Sequence, residues 1–538
     1  MSMIENLMKT TLKGRLDNPL WRLNNLYWIE NKGGGIQRFR MNAAQKRLHE
    51  NLWTRNVVLK ARQLGISTYV AMLMLDSCLF TPNFHAGIID KTLPDAEQKL
   101  EKLRFAWEHL DYLPPRADAG EQALAYLGRL IKQHSGNCRR NEWHPPTDAR
   151  TRMGFTNGSD IRLGTTLRGG TLQLLHVSEL AHVSVHAPWR AREIRTGAIN
   201  TVSADGRIIL ESTHEGGRYG VNYELTSQAM QNVNQGELSP LDFRFFFFSW
   251  FDNPDYVLSG SSSRAEELCD YFDKLESEYG TMLSREQKNW YARMARTMGP
   301  AMRQEYPSTP DEAFSTGNES AIYGAPLTRL REAGRIGTPF DYRADEPLYT
   351  AWDLGLSDHT AIWLVQCYGG QVYWLNHYAA NQLPLEHFAE HIKYWQQVYG
   401  PVAAHFLPHD AAHRDPHGHS YVESLARCGI HSVRVVPRTP DIWRGINALR
   451  KLLERSWFHP DTLRQRMNPA GVLEPSGLTC LEMYRMAEGA EGTTCRETPV
   501  HDAASHSADA ARMFAEAYEH GMLAPLQPGG VRRRARMS

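Results

Sequence analysis

The stretch from Lys60 to Thr68, Lys-Ala-Arg-Gln-Leu-Gly-Ile-Ser-Thr, constrains the fold of this chain more than any other. An apolar run, Val57 to Leu59, leads into it and a long apolar segment, Tyr69 to Leu75, leads out. It therefore reads as the turn between a buried strand and a helix. Turns of this kind cradle phosphates in the pattern G-x-x-x-x-G-K-[ST]: backbone N–H groups and the helix N-terminus face the anion, a lysine neutralises it, and a hydroxyl holds Mg²⁺. Gly65 and Ser67 fall in register with that pattern, with Gln63 before them and Thr68 after. Ile66 stands at the lysine position and Lys60 at the first glycine. The phosphates would lack positive charge unless Lys60 or Arg62 folds back from the start of the loop.

A length of 538 residues allows two or three domains with sizeable cores. Sixty basic and 60 acidic residues cancel, so overall charge is no argument for nucleic-acid binding, although a local basic groove is compatible with it. No apolar run is long enough for a membrane span, and the N-terminus does not read as a signal peptide. Seven cysteines without C-x-x-C spacing point to a reducing compartment and to no structural zinc framework. A cytoplasmic location is the expectation.

Residues 1–40 read as an adaptor segment. Gln45 follows, a candidate for reading an adenine edge because its amide both donates and accepts. After the loop, strands are expected at Phe84 to Ile89, Gly158 to Leu163, Leu172 to Ser178 and Arg207 to Ser212. The run Leu172-Gln-Leu-Leu-His-Val-Ser178-Glu179 has the form of a Walker B strand, in which one group orients the Mg²⁺ shell and the next carboxylate polarises the attacking water. Ser178 stands where Asp is usual and Glu179 is the candidate catalytic carboxylate. Ser212 and Thr213 end the next strand in hydroxyls able to sense a γ-phosphate. Strands alternating with helices, with polar residues at their C-terminal ends, predict a parallel, doubly wound α/β domain over 41–241. Residues 242–325 read as a lid subdomain and the Gly/Pro-rich 326–347 as a linker.

The second domain, 348–524, opens with Ala351-Trp-Asp353 and continues as a three-strand β-meander. A carboxylate within an apolar strand is costly to bury unless paired or bound to a metal. Asp410 ends a later apolar strand. Asp509 lies one turn before Met513, on the inward stripe of a C-terminal helix. Asp502 is roughly 10 Å from it along that helix, too far to share a metal pair about 4 Å across, and suits the helix N-cap. Strand Asp, strand Asp and helix Asp after a meander are the arrangement of an RNase H-like nuclease. The histidines at 409, 413, 417 and 419 read as an exposed loop beside that site rather than a zinc centre. Residues 525–538 are a basic tail.

Together these residues resemble the large terminase subunit of tailed double-stranded DNA bacteriophages. The likeness is carried by Gln45, the deviant loop from Lys60 to Thr68, Arg168-Gly169, Glu179, Ser212-Thr213, Gln304-Glu-Tyr-Pro307 with Glu312-Ala-Phe314, the nuclease acids, Ser505-His506 and Asp509-Ala510. The resemblance implies an N-terminal P-loop (RecA/ASCE-like) ATPase with a lid, followed by an RNase H-like nuclease. It implies ATP and Mg²⁺ as cofactors, with Mn²⁺ possible at the nuclease acids. The implied partners are double-stranded DNA, a portal protein, a small terminase subunit and further copies of the chain, commonly five in a ring. No membrane is involved. Arg168 matches the position that reaches a neighbour's γ-phosphate. Two other readings share parts of this pattern: a helicase-nuclease of restriction or repair, and a virion protein with a decayed nucleotide site, which Ile66 and Ser178 would suit.

Overall fold

The computed structural model describes residues 13–139, 142–218, 220–236, 238–260, 263–299, 301–314, 321–355, 359–412, 420–439, 441–467, 473–486 and 498–523. The chain divides into two units, Met1–Gly317 and Asn318–Ser538.

Near-continuous apolar runs, the mark of strands covered on both faces, build the first unit. In chain order, α1 (Ala43–Glu50) precedes β1 (Arg55–Lys60), which turns through residues 61–65 into α2 (Ile66–Phe80). Next come β2 (His85–Ile89), α3 (Leu93–Glu108), α4 (Ala119–Ser135), β3 (Thr147–Ala149), β4 (Arg152–Gly154) and β5 (Asp160–Gly164). They are followed by β6 (Leu172–Ser178), α5 (Leu180–His186), α6 (Pro188–Thr196), β7 (Val202–Ser212), α7 (Gly220–Gln235) and β8 (Phe243–Phe248). Among the described residues these strands form one eight-stranded sheet in the order β8-β1-β7-β6-β2-β5-β4-β3. Neighbours from β8 to β5 run parallel, and β5, β4 and β3 close the edge antiparallel. β7 lies between β1 and β6, so the loop after β1 and the acid after β6 flank the tip of β7. Helix α2 is buried from Tyr69 to Leu75.

Two boundaries expected from the sequence shift. Phe243–Phe248, expected to open the lid, is the sheet strand beside β1, in register from Phe243 opposite Arg55 to Phe248 opposite Lys60. A run of four phenylalanines from 245 to 248 satisfies a buried strand better than an exposed cover. Residues 1–40 are no separate adaptor where described: Leu23, Leu26 and Tyr27 are in the first unit's core. Arg22 forms a buried ion pair with Asp76 of α2 at 2.7 Å, and the Tyr27 hydroxyl donates to the same carboxylate at 2.7 Å.

After β8, α8 (Ser263–Glu267), α9 (Cys269–Tyr279), α10 (Arg285–Met298), α11 (Ala301–Glu305) and α12 (Pro310–Phe314) gather around Trp250, Tyr256, Tyr271, Trp290, Tyr291 and Tyr306. This helical group touches the loop after β1: the Arg62 backbone N–H donates to the Glu305 carbonyl at 3.0 Å, and the Tyr256 hydroxyl donates to the Arg62 carbonyl at 2.8 Å.

The second unit begins with α13 (Gly324–Glu332), which occupies the start of the expected 326–347 linker. Pro326 sits in its first turn, where a missing N–H costs no helical hydrogen bond. Leu327 and Leu330 are buried in the unit's core. The strands β9 (Leu348–Asp353), β10 (His359–Tyr368) and β11 (Gln371–Asn381) form the antiparallel meander. Helix α14 (Leu385–Tyr399) leads to β12 (Val402–Leu407), which returns parallel to β9. β13 (Val433–Val435) adds outside β12, and β14 (Ser456–Phe458) adds beside β11. The described order is β13-β12-β9-β10-β11-β14. Helices α15 (Ile442–Leu453), α16 (Gly477–Met483) and α17 (Ala503–Glu519) complete the unit, α17 lying against β9 and β10.

Candidate nucleotide and metal sites

Parallel strands deliver their C-terminal residues to one edge of a sheet, where open α/β folds bind ligands. In the first unit that edge carries Lys60, Ser178 and Ser212 at the ends of β1, β6 and β7. A cavity of about 540 Å³ opens there, lined among others by Lys60, Arg62, Gln63, Glu179, Thr213 and Glu305. The loop into α2 is shaped by left-handed backbone at Gln63 (φ 56°) and Gly65 (φ 74°). A Cβ on Gly65 would lie 2.7 Å from the Gln45 amide nitrogen, so glycine is needed there on both counts.

Gln45 is the third residue of α1. Its Nε2 donates to the Gly65 carbonyl at 2.8 Å and its Oε1 accepts the Asn42 backbone N–H at 2.9 Å, closing a capping box. The structure thus makes Gln45 a brace for the loop. Of the two candidate cations, Lys60 is buried, with its Nζ 3.1 Å from Glu211 Oε2. Arg62 is half exposed and reaches Glu305 at 2.5 Å. Burial pulls the Lys60 ammonium down, but Glu211 and Glu179 outweigh it and hold its pKa above the ordinary value.

Glu211 is the residue that reading from the sequence missed. It lies in β7 as the Cα partner of Ser178 across the parallel pair with β6, and its side chain is fully buried. Oε1 accepts from Ser67 Oγ at 2.7 Å and from Ser178 Oγ at 2.8 Å, with His176 Nε2 at 3.2 Å. Burial opposes its charge, yet Lys60 and His176 hold it ionised well below the usual carboxylate range. Its position inside an apolar strand was the available signal, the same one that singles out Asp353.

Glu179 turns the chain from β6 into α5 with φ 57°, a left-handed conformation that a non-glycine residue adopts at some cost and that clusters at functional sites. Its backbone N–H donates to the Glu211 carbonyl at 2.8 Å. Burial pushes its carboxyl up; Lys60 draws it back, while Glu211 and Asp90 add to the rise. Ser212 Oγ donates to Glu179 Oε2 at 3.4 Å. Beyond Thr213, Glu215 is held by His182 at 3.0 Å and His186 at 2.6 Å, one turn apart on α5. Asp90, Lys91, Lys99 and Lys102 also line the cavity, and Lys99 is paired with Asp90. None of these four stood out in the sequence, because each belongs to an unremarkable strand end or helix face.

Thr68 is partly buried in the first turn of α2. Arg168 is not a lining residue. It is 64% exposed and paired with Glu193 of α6 at 2.8 Å.

In the second unit, Asp353 ends β9 and accepts from His506 Nδ1 of α17 at 2.9 Å. Burial pushes its carboxyl up; the His506 hydrogen bond draws it back and the Asp509 charge raises it further. Asp509 Oδ1 accepts from Arg512 at 3.0 and 3.2 Å and from the Tyr484 hydroxyl at 3.3 Å. Asp410 is exposed in the 3₁₀ turn His409–Ala412, just past the end of β12. The parallel pairing of β9 with β12 brings Asp353 and Asp410 to the same sheet edge. Asp502 caps α17: Oδ1 accepts the Ala504 N–H at 2.9 Å and Oδ2 pairs with Arg485 at 2.8 Å. The histidines at 413, 417 and 419 and the basic tail lie outside the described residues, whereas His409 is exposed in the same turn as Asp410.

The described residues form a two-unit α/β protein, with a cavity beside the loop-to-helix turn of the first unit and, in the second, Asp353 next to α17 and Asp410 just past the end of β12. The carboxylate oxygens of Asp353, Asp410 and Asp509 do not all lie within 4.8 Å of one another. The protein's structural neighbours are large terminase chains. One from a thermophilic bacteriophage matches at TM-score 0.32 and 13% identity, over 89% of this chain and 99% of that one. The ATPase domain of the Thermus phage P74-26 large terminase matches at 0.30 and 17%, over 50% and 94%. The nuclease domain of the P22 large terminase matches at 0.27 and 16%, over 38% and 94%. No family model and no curated protein matches the sequence. At such identities and TM-scores the likeness says nothing of activity, which has to be read from the side chains.

Proposed function

We propose that this chain is an ATP-driven translocase of double-stranded DNA with a metal-dependent endonuclease in its second unit, the large subunit of a viral DNA-packaging motor. The observation that carries the reading is the convergence at one sheet edge of a buried lysine, a loop hydroxyl and a carboxylate on strained backbone. Lys60 and Ser67 suit a polyphosphate with its Mg²⁺, and Glu179, raised by burial, suits the base that polarises the attacking water. Its link through Ser212 to the loop holding Thr213 and Glu215 provides a path by which loss of the γ-phosphate moves the rest of the unit.

In the second unit, an all-oxygen donor set of Asp353, Asp410 and Asp509 suits Mg²⁺ or Mn²⁺. A cation there would relieve the like charge that raises Asp353. Divalent ions, when bound, supply Lewis-acid activation of water and of the leaving oxygen. His506 orients Asp353 and Arg512 orients Asp509. Where the chain of a helicase would carry a second nucleotide-binding lobe, α8 to α12 gather around aromatic rings. That disfavours the helicase reading.

The partners in this reading are DNA, a portal, a small subunit and further copies of the chain, working in the host cytoplasm. The test is cleavage of a supercoiled plasmid with Mg²⁺ or Mn²⁺, and ATP turnover with and without double-stranded DNA. Wild type is expected to cut and to show DNA-stimulated turnover, whereas Asp410→Asn is expected to lose cutting alone. A wild-type protein that neither cuts nor hydrolyses ATP with DNA would sink the proposal.

A further inference from the structure

An acid-ending strand beside a phosphate loop normally supplies the carboxylate that organises Mg²⁺, yet β6 ends in Ser178. The structure holds a carboxylate at that place, brought in from the neighbouring strand. Glu211 is paired in register with Ser178, and its Oε1 collects both hydroxyls of the site, Ser67 from the loop side and Ser178 from the strand side. Its Oε2 faces Lys60 Nζ at 3.1 Å and, among the described residues, has no aligned hydrogen bond.

We infer that Glu211 is the carboxylate of the nucleotide's Mg²⁺ site, replacing the aspartate that β6 lacks, and that Lys60 is its counter-ion until a nucleotide arrives. A fully buried carboxylate needs a cation nearby, and the cation at Oε2 belongs to a lysine that opens the phosphate loop. A metal nucleotide would bring one cation and its phosphates, so that two cations, Lys60 and the metal, face two anionic groups, Glu211 and the phosphates. Lys60 would then be released to the phosphates and Glu211 would face the metal, so both members of the pair keep a partner. The same exchange explains how Ile66 is tolerated at the usual lysine position: the lysine is stored at the start of the loop against Glu211. Ser67 and Ser178 fix the carboxylate's orientation, the role that supporting hydrogen bonds play around metal ligands.

This inference rests on the nucleotide reading, and one titration separates the two. A fluorescent ATP analogue is titrated into the full-length protein with Mg²⁺ and again with EDTA, for wild type, Glu211→Gln and the double variant Ser178→Asp/Glu211→Gln. Wild type should bind more tightly with Mg²⁺. Glu211→Gln should lose that increment, about 10- to 100-fold as for other changes around metal sites, while its affinity in EDTA is unchanged or improved because Lys60 is free for the phosphates. The double variant restores a carboxylate one strand over and should regain the Mg²⁺ increment. It also returns a carboxylate to the buried site if Glu211→Gln alone folds poorly.

Equal weakening of Glu211→Gln in Mg²⁺ and EDTA would show a merely structural role and overturn the inference. A retained Mg²⁺ increment in that variant would overturn it too, leaving the nucleotide reading intact. Absence of nucleotide binding by wild type in both conditions would overturn both.

Discussion

At the scale of single residues, Glu179 and Glu211 divide the work of one site by environment. Glu179 follows β6 and Glu211 lies in the adjoining β7, and both interact with Lys60. Glu211 has two hydroxyls, a histidine and the lysine around it, whereas burial and like charge raise Glu179 against the pull of Lys60. One is held ionised and the other is pushed toward a base that can take a proton. Glu179→Gln is therefore expected to lower DNA-stimulated ATP turnover by roughly 10²- to 10⁴-fold while leaving nucleotide affinity unchanged or better, since a buried like charge is gone. A turnover assay with a parallel binding titration checks this. The pH dependence has a definite sign. A base must be ionised to act, and a raised pKa means that Glu179 protonates at a higher pH than a free glutamate. Turnover should thus fall as pH drops through a midpoint above the ordinary glutamate value, and a wild-type profile with its acid limb at or below that value would remove Glu179 as the base. Ser67 and Glu179 stand out in the sequence because each belongs to a local pattern of strand, loop and helix, and the same pattern leaves Lys60 and Arg62 as alternatives; only the burial of Lys60 against Glu211 separates the two. Glu211 carries only the signal of an acid inside an apolar strand; its contacts arise from strand register, which sets it opposite Ser178 without any sequence proximity.

At the scale of elements, the surroundings of helix α17 separate an observed cap from a proposed ligand. Asp502 accepts the Ala504 N–H and pairs with Arg485 at the edge of the unit, whereas Asp353 sits beside α17 with its charge opposed by burial and by Asp509. Asp502→Ala should cost about 1 kcal/mol of stability and leave plasmid cutting intact. Asp353→Asn should abolish cutting with stability unchanged or raised, because a charge opposed by its partly buried setting and by Asp509 has been removed. Urea unfolding of each variant beside a cleavage assay distinguishes them, and reversal of the two effects would exchange their assigned roles. The spacing of Asp502 and Asp509 along one helix was enough to separate them in the sequence. Boundaries were harder: Pro326 reads as a breaker but serves as a first-turn residue of α13, and Phe243–Phe248 reads as a strand without saying to which sheet it belongs. Both depend on packing partners far away in the chain.

At the scale of the whole molecule, each unit has its own core and its own acids, so the two activities should separate by mutation: Glu179→Gln should still cut DNA, and Asp353→Asn should still hydrolyse ATP. If the first unit hydrolyses ATP as proposed, it is expected to be incomplete in a single copy. Arg168 follows a residue in left-handed conformation (Leu167, φ 43°) and precedes two glycines with positive φ. Its side chain is 64% exposed, tethered to Glu193 of α6, and is not among the residues lining its own chain's cavity. A guanidinium so placed is suited to a neighbouring copy's γ-phosphate, a contribution worth roughly 10³- to 10⁵-fold in rate. Specific ATPase activity should therefore rise with protein concentration. Arg168→Ala and Glu179→Gln should each be nearly inactive alone, and a mixture should recover turnover, because a Glu179→Gln subunit still presents Arg168 to an Arg168→Ala neighbour whose own Glu179 is intact. If Arg168 instead served its own pocket, each active site in the mixture would lack one group and no activity would return. The mixing experiment, read as turnover against the ratio of the two variants at fixed total protein, decides between completion by a neighbour and completion within one chain.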